Sequence, residues 1–303
     1  MRSRSNIEIR RCRPLLGTFV EVVACGRNTA DLKRGIDAAF ASVEKVCRLM
    51  SYHDAQSDVS RMNRYAFPKG VNVHPWTWQV MKASKRFAEE SHGTFDITVA
   101  PSLTKWNYLP RRCYQFSPTA SSRDIFLRRN HEVFFRRGLI VDLGGIAKGF
   151  AVDRAVDALK ENGIACGIVN AGGDLRTFGP ASQLIHLRHP TDPTRVAGAV
   201  RLRERAMATS GIYFERRKHH GRYVSPLLDG RSGQAARELI SVSVAAAECM
   251  VADALTKVVF ALREEAAGVL AQYDADALLL ERQGAPSWMF HSSCDTRDRI
   301  RFD

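Results

Sequence analysis

From Ala30 to Met50 apolar residues return at helical spacing, at Leu32, Ile36, Ala39, Phe40, Val43, Val46, Cys47 and Met50, which predicts one long amphipathic helix. Ahead of it, "GTFVEVVACG" (17–26) alternates and is rich in valine, the pattern of a strand. Behind it the polar run "SYHDAQSDVSRMN" predicts a loop, in which Ser57 and Ser60 can make loop or cap bonds. Residues 76–91 predict a second helix, ended by Gly93. "GTFDITVAPSLTKW" follows, with β-branched residues and a proline stop. Residues 107–131 are irregular and end in an arginine-rich patch, and 132–136 with 139–143 predict a hairpin across "RRG".

The stretch "IVDLGGIAKGFAVDRAVDAL" (140–159) reads as a strand end, a tight turn and a helix that carries Ile146, Phe150, Ala151, Val156 and Leu159 inward until Gly163 stops it. "ACGIVNAGGDLRTFG" predicts a buried strand and a glycine turn. Short strands continue through "LIHLRHP", "VAGAVRL", "AMATSG", "IYFER" and "ELISVSVAA". "AECMVADALTKVVFAL" predicts a strong helix, Glu264 to Tyr273 a further one, and "DALLLER" a last strand. Strands come in runs with helices between them and no steady βαβ alternation, which predicts an α+β fold of mixed sheets with flanking helices. There is no internal repeat, low-complexity segment or clear linker, so the expectation is a single domain over 1–303, with 1–12 as a flexible N-terminal arm.

The 303 residues are 45% hydrophobic, enough for one large core or two modest ones. A formal charge of +13 suits nucleic acid, acidic membranes, acidic proteins or a phosphate-bearing ligand. The arginines are scattered in pairs such as Arg111–Arg112 and Arg136–Arg137, without an aromatic-interleaved stripe, so a nucleic-acid partner is disfavoured. Seven cysteines without a C-x-x-C speak against a zinc site or a disulfide framework and for a reducing compartment. No stretch of about 18 apolar residues predicts a membrane span. The expected location is the cytoplasm, or the periplasm if an upstream signal has been removed.

Chemistry concentrates at turns where strand ends meet helix starts and backbone N–H groups are free. In "VDLGGIAKGF" the glycines and a helix N-terminus favour an anion, with Lys148 adding a point charge. Neither a Walker loop nor a dinucleotide fingerprint is present. A plain tight turn, with Asp142 as a turn carboxylate, is the alternative. Asp253, Thr256 and Lys257 share one helix face, and a carboxylate with a hydroxyl makes a partial Mg²⁺ site. A solvated helix face is the alternative there. Tyr52 and His53 offer rings for stacking.

Together these segments resemble the ApbE-type flavin transferases, which move FMN from FAD onto a Ser or Thr of a target protein. The matching pieces are "LLGTFVEV", "MSYHDAQSDVSRMN", "GTFDITVAP" with Trp106 behind it, "VDLGGIAKGFAVDRA", "VNAGGDLRTFG", "ATSGIYFERR", "LLDGRSG" and "SVSVAAAECMVADALTKVVFAL", in the family's order from about residue 12 to 262. The resemblance implies a T-fold-related domain with FAD in a cleft and Mg²⁺ at its pyrophosphate. It implies cofactor contacts at Leu16, His53, Thr94, Phe95, Asp96, Asp142, Lys148 and Leu228. The resemblance implies metal ligands at Gly145 (by its carbonyl) and Asp253, with a catalytic role for Asp253; the helix-face reading adds Thr256 as a metal ligand, and Lys257 is expected to be catalytic as a charge at the diphosphate. Partners would be FAD and a flavoprotein presenting the acceptor hydroxyl.

Two departures touch the chemistry. Pro226 stands where the family usually has a histidine, and Gly230 where it has proline, with His219 and His220 nearby as substitutes or as a surface pair. Lys257 stands four residues after Asp253, where the family usually has a hydroxyl residue. Either its ammonium replaces the Mg²⁺ charge or the side chain turns outward and leaves Asp253 and Thr256 to a metal. The expected function is FMN transfer with AMP release. The alternative is an FAD-binding homologue with lost or altered transferase activity.

Overall fold

The computed structural model describes residues 7–189, 192, 194–212, 216–235, 239–281 and 287–289. Strands β1 (Ile7–Leu15) and β2 (Thr18–Gly26) form a hairpin turned by Leu16 and Gly17, both with positive φ. Residues 7–12, expected in a flexible arm, are therefore in a strand. β1 is an edge strand on which Arg10 is exposed, while the half-buried Arg11 and Arg13 lie on the helix side and pair with Asp37 of the next helix. Charges of this kind blunt a sheet edge.

Helix α1 (Thr29–Met50) starts on Asn28, whose side chain accepts the Ala30 N–H, and buries Leu32, Ile36, Ala39, Phe40, Val43, Val46 and Met50. The polar run that predicted a loop contains helix α2 (Asp58–Tyr65), because Ser57 accepts the Ser60 N–H at 3.0 Å and caps it. Strand β3 (Val71–Asn72) leads to α3 (Pro75–Glu90). A short 3₁₀ turn, Ile97–Val99, then runs into α4 (Ala100–Lys105), with Pro101 in its first turn where no N–H is needed.

The hairpin is β4 (Ile125–Arg128) with β5 (Glu132–Phe135), joined to β3 in a three-stranded sheet. It lies one strand earlier than expected. Residues 139–143 are extended but form no strand. Asn63 of α2 takes the place of a neighbouring strand instead, accepting the Val141 N–H at 2.8 Å and donating to its carbonyl at 2.9 Å. A side chain from α2 satisfies the backbone there, so an apolar run alone misleads.

Helix α5 (Ala147–Glu161) leads to β6 (Cys166–Ala171), β7 (Asp174–Phe178), the hairpin β8 (Gln183–Arg188) and β9 (Val196–Leu202), and β10 (Ala206–Gly211). A small hairpin, β11 (Arg217–His219) and β12 (Arg222–Val224), precedes β13 (Leu239–Ala246) and α6 (Cys249–Leu262). The helix expected over 264–273 is a 3₁₀ turn, Arg263–Ala266, followed by α7 (Ala267–Gln272). Strands β14 (Asp276–Glu281) and β15 (Ser287–Met289) close the described chain. The strand expected over "IYFER" falls largely outside the described residues.

The main sheet runs β1-β2-β6-β7-β10-β13-β14-β15, with every pairing antiparallel. Helices α1, α5 and α6 lie side by side on one face, over β1–β2, β6–β7 and β10–β13 respectively. Side chains alternate across it: Ala206, Ala208, Val242, Val244, Ala277 and Leu279 join the helices, while Met207, Ala245, Leu278 and Leu280 face the other way. That second face is covered by the β8–β9 hairpin through Leu187, Val200 and Leu202. Helices on one face of an antiparallel sheet are the α+β arrangement that the sequence predicts. Among the described residues no helix is long and apolar enough to cross a membrane, and six cysteines are free thiols.

Candidate functional site

The N-terminus of α5 lies against the N-terminal half of α6. Ile146, the residue before α5, offers no side-chain cap. The cap comes from the other helix: Asp253 Oδ2 accepts the Gly149 N–H at 3.0 Å. The third glycine of "GGIAKG" serves this contact. A Cβ on Gly149 would fall 2.6 Å from the Cys249 carbonyl carbon, closer still to its oxygen, and 2.8 Å from the Asp253 Cβ.

The capping is reciprocal. Asp153, inside α5, accepts the Cys249 and Met250 N–H groups at 2.9 and 2.8 Å, and Glu248 makes no side-chain cap of its own. Arg176 of β7 binds the same carboxylate at 2.7 Å. Each helix thus supplies the carboxylate that satisfies the other's orphan donors and sits at its positive dipole end.

Four charges gather at this junction. Lys148, in the first turn of α5, binds Asp174 at 2.7 Å, and Asp174 begins β7 just after the Gly172–Gly173 turn. Lys257 contacts Asp253 Oδ1 and donates to the Asp253 carbonyl at 3.0 Å. Asp174 and Asp253 are both buried and feel one another's charge. Burial raises the Asp253 carboxyl, but the Lys257 and Lys148 ammoniums outweigh it and hold the group below the usual carboxylate range. Asp174 goes the other way: burial and the Asp253 charge raise it, and the lysines offset them only in part. For Lys148 burial works downward, yet Asp174 and Asp253 together raise it, so it stays an ammonium at neutral pH.

Around this cluster the sequence-predicted residues divide into groups. Phe95 reaches the turn before α5: a Cβ on Gly145 would lie 3.7 Å from the Phe95 ring and 3.5 Å from Lys257 Cε. Thr94 is buried, and among the described residues its Oγ1 has no hydrogen-bond partner. Its carbonyl accepts the Gly230 N–H at 2.9 Å. That bond places the turn carrying Leu228 and Asp229 beside Thr94 and Phe95. Gly230 fits closely there, since a Cβ would fall 2.5 Å from the Gly93 oxygen and 2.8 Å from the Asp96 Cβ. Asp142 accepts the Gly144 N–H at 3.1 Å; burial raises its carboxyl, and that turn bond and the charge of His53 oppose the rise. His53 is exposed, with its carbonyl bound by Arg112. Leu16 sits at the β1–β2 turn, against which the Gly172 turn packs through Thr18.

Some expected residues face elsewhere. Both Asp96 oxygens hold the local chain, Oδ1 through the N–H and Oγ1 of Thr98 and Oδ2 through Ser122. Thr256 Oγ1 donates to the Asp253 carbonyl at 2.7 Å and meets Ser210 Oγ at 2.8 Å, so its hydroxyl bonds along α6 and toward β10. His219 and His220 lie on the β11–β12 hairpin, edge to face at 4.3 Å, with burial and then His220 lowering the pKa of His219. The hairpin is tied to Tyr108, whose hydroxyl donates to the Val224 carbonyl at 3.0 Å. Asp174, which holds Lys148, was not among the expected residues. Its signal was an acid after the paired glycines of "NAGGDL".

The ApbE family profile matches residues 16–279. The chain belongs to the ApbE family. An FAD:protein FMN transferase of Klebsiella pneumoniae is 26% identical over 261 residues, 80% of this chain and 81% of that protein. One of Vibrio cholerae is 27% identical over 254 residues, 78% of this chain and 76% of that protein. Among solved structures, the ApbE protein of Thermotoga maritima aligns with a TM-score of 0.81 at 27% identity, over 93% of this chain and 96% of that one. The flavin transferase ApbE of Vibrio cholerae aligns with a TM-score of 0.80 at 24% identity, over 95% and 98%, which speaks to the fold.

Of the three positions expected to hold Mg²⁺, Gly145 and Asp253 are both met by Lys257, while Thr256 turns toward β10. The Lys257 stem runs from α6 past Gly145, and its ammonium takes Asp253 Oδ1 while Gly149 takes Oδ2. With Thr256 facing β10 and Asp174 held by Lys148, no open hard-oxygen set is left for a divalent cation among the described residues of this cluster. The residues as placed do not fit Mg²⁺. They do fit an anion: two ammoniums stand at a helix N-terminus, and the buried Thr94 hydroxyl, next in sequence to Phe95, has no partner among the described residues.

Proposed function

We propose that this chain binds FAD across the α5 N-terminus and transfers its FMN moiety to a Thr or Ser of a target flavoprotein, releasing AMP. The observation that carries the reading is the convergence of Lys148, Lys257, Phe95 and Thr94 on the turn that opens α5, in a member of a family whose curated relatives are FAD:protein FMN transferases. The diphosphate would lie against the lysines, with Phe95, Leu16, Leu228 and His53 toward the rest of the cofactor.

In the reaction the acceptor oxygen forms a bond to the FMN phosphorus. The bridging P–O bond breaks, its electron pair leaves with AMP, and the hydroxyl proton passes to water. Pro226 offers no base. A loose phosphoryl-transfer transition state needs little help at the nucleophile, and depends on in-line positioning and on cations at the phosphate oxygens. Lys148 and Lys257 are the side chains that meet that need.

The reading extends to organisation. The first and last described strands lie at opposite edges of one sheet, which supports a single domain over the whole chain. A second reading, an FAD binder with lost or altered transfer, is favoured by Pro226 alone. One assay separates the two. The protein is incubated with FAD and a target domain bearing an acceptor Thr, and AMP release and the mass of the target are followed. Covalent flavin with matching AMP is expected. Tight FAD retention without either product overturns the transferase reading.

A further inference from the structure

Lys257 occupies the centre of the site, and its geometry is that of a resident counter-ion. It stands one helical turn beyond Asp253, so both side chains leave the same face of α6. Its ammonium engages Asp253 twice, at the carboxylate and at the carbonyl, which leaves a third donor of the NH₃⁺ group. Its side chain retains 16% of its exposure while that of Asp253 retains none, so what opening the pair has belongs to Lys257. The stem passes the Cα of Gly145 with Cε and Cδ 3.5 and 3.9 Å from where a Cβ would be. This threads the lysine between the turn before α5 and the carboxylate that caps it.

The local charges close without a metal. Asp174 is matched by Lys148, and Asp253 by Lys257. A divalent cation would have to displace an ammonium from a fully buried carboxylate and then sit beside it, against like-charge repulsion in a poorly solvated place. An anionic diphosphate meets the opposite situation. Two ammoniums and the positive end of a helix face it, and each lysine is steadied by a carboxylate behind it.

We propose that the Lys257 ammonium stands permanently in the role of the divalent cation, so that this protein binds the diphosphate of FAD without Mg²⁺. The proposal rests on the flavin reading above and changes its cofactor requirement. Flavin fluorescence gives the FAD affinity of the wild-type protein in EDTA and in millimolar Mg²⁺, and Mn²⁺ paramagnetic resonance reports a bound divalent ion directly. The expected result is the same affinity within about twofold in both buffers, a difference too small to represent a lost charge-assisted contact, and no bound Mn²⁺ signal with FAD present.

Lys257→Met should weaken FAD binding about ten- to hundredfold in EDTA, the equivalent of one charge-assisted hydrogen bond. Lys257→Thr, which frees Asp253 Oδ1 and supplies a hydroxyl, should bind FAD in a Mg²⁺-dependent way. If Lys257→Met does not fold, the double change Asp253→Asn with Lys257→Met removes both charges and keeps an acceptor for the Gly149 N–H. Wild-type affinity that rises about tenfold or more with Mg²⁺, or a stoichiometric Mn²⁺ signal, overturns the lysine assignment and leaves the flavin reading standing. Failure to bind FAD in either buffer overturns both.

Discussion

Gly149→Ala is a substitution for which local and tertiary physics predict opposite signs. Position 149 is in the first turn of α5, and in an isolated helix alanine would be favoured over glycine by about 1 kcal/mol. Here the new methyl would meet the Cys249 carbonyl group, at 2.6 Å from its carbon, and the Asp253 Cβ at 2.8 Å. Both belong to backbone or near-backbone atoms of α6, so no flexible side chain can swing aside. Relief requires the helices to separate, and overpacking of this kind costs about 1–3 kcal/mol. Separation also stretches the 3.0 Å bond from the Gly149 N–H to the Asp253 carboxylate, a charge-assisted bond worth about 1.5–3 kcal/mol. The balance is a net loss of about 1.5–5 kcal/mol. Urea unfolding at unchanged slope should show it as a lower midpoint, and FAD affinity should fall with it because Lys257 moves with α6. An alanine variant as stable as the wild type, or more so, would refute the argument that α6 approaches α5 through this glycine.

Three further outcomes test the neighbouring elements. Thr94→Val removes a buried hydroxyl without a partner among the described residues, so stability should hold or rise by about 1 kcal/mol while FAD affinity falls; unchanged affinity in a flavin titration would remove Oγ1 from the site. Gly230→Pro introduces a proline, which deletes the N–H that binds the Thr94 carbonyl and drives a ring toward the Gly93 oxygen. It should lower the melting temperature and weaken FAD binding, and a neutral result in both would show that this turn repacks freely. Asp124 is buried, and although burial raises its carboxyl, Arg136 at 2.7 Å and the Ser121 N–H hold it below the usual range. A depressed carboxyl contributes stability above its unfolded pKa of about 3.9 and loses it as pH falls further, so Asp124→Asn should flatten the acid limb of the stability profile below about pH 4. An acid limb parallel to that of the wild type would contradict the pairing.

What could be read in the sequence was whatever is governed by local periodicity. The stripe from Leu32 to Met50 became the buried face of α1, and the run after Gly145 became α5, because both helices bury one side against one sheet. The misreadings share a cause: a distant side chain supplied what the local pattern seemed to lack. Residues 139–143 are a largely apolar run like a strand, but Asn63 satisfies Val141, so no strand partner is needed. β1 carries Arg10, Arg11 and Arg13 on a sheet edge and in sequence resembles an unstructured basic arm; the Asp37 carboxylate that pairs with Arg11 and Arg13 lies in the next helix. At the site, the sequence placed Asp253 and Lys257 on one face but left the direction of Lys257 open, and the position of Gly145 and the demands of the Asp253 carboxylate turn it inward. Asp174 escaped because its importance depends on Lys148 reaching it from another element.

The exchange of caps between α5 and α6 also bears on the order in which the protein matures during synthesis. Asp153 and Gly149 leave the ribosome about a hundred residues before Cys249, Met250 and Asp253. Until those arrive, the start of α5 lacks its acceptor and is free to fray, and Lys148 and Gly145 are not yet held in place. A nascent chain that ends before α6 would carry Lys148, Gly145 and Phe95 yet lack the Asp253 cap and the Lys257 stem beside them. The completeness of the α5 N-terminus is thereby tied to the arrival of α6.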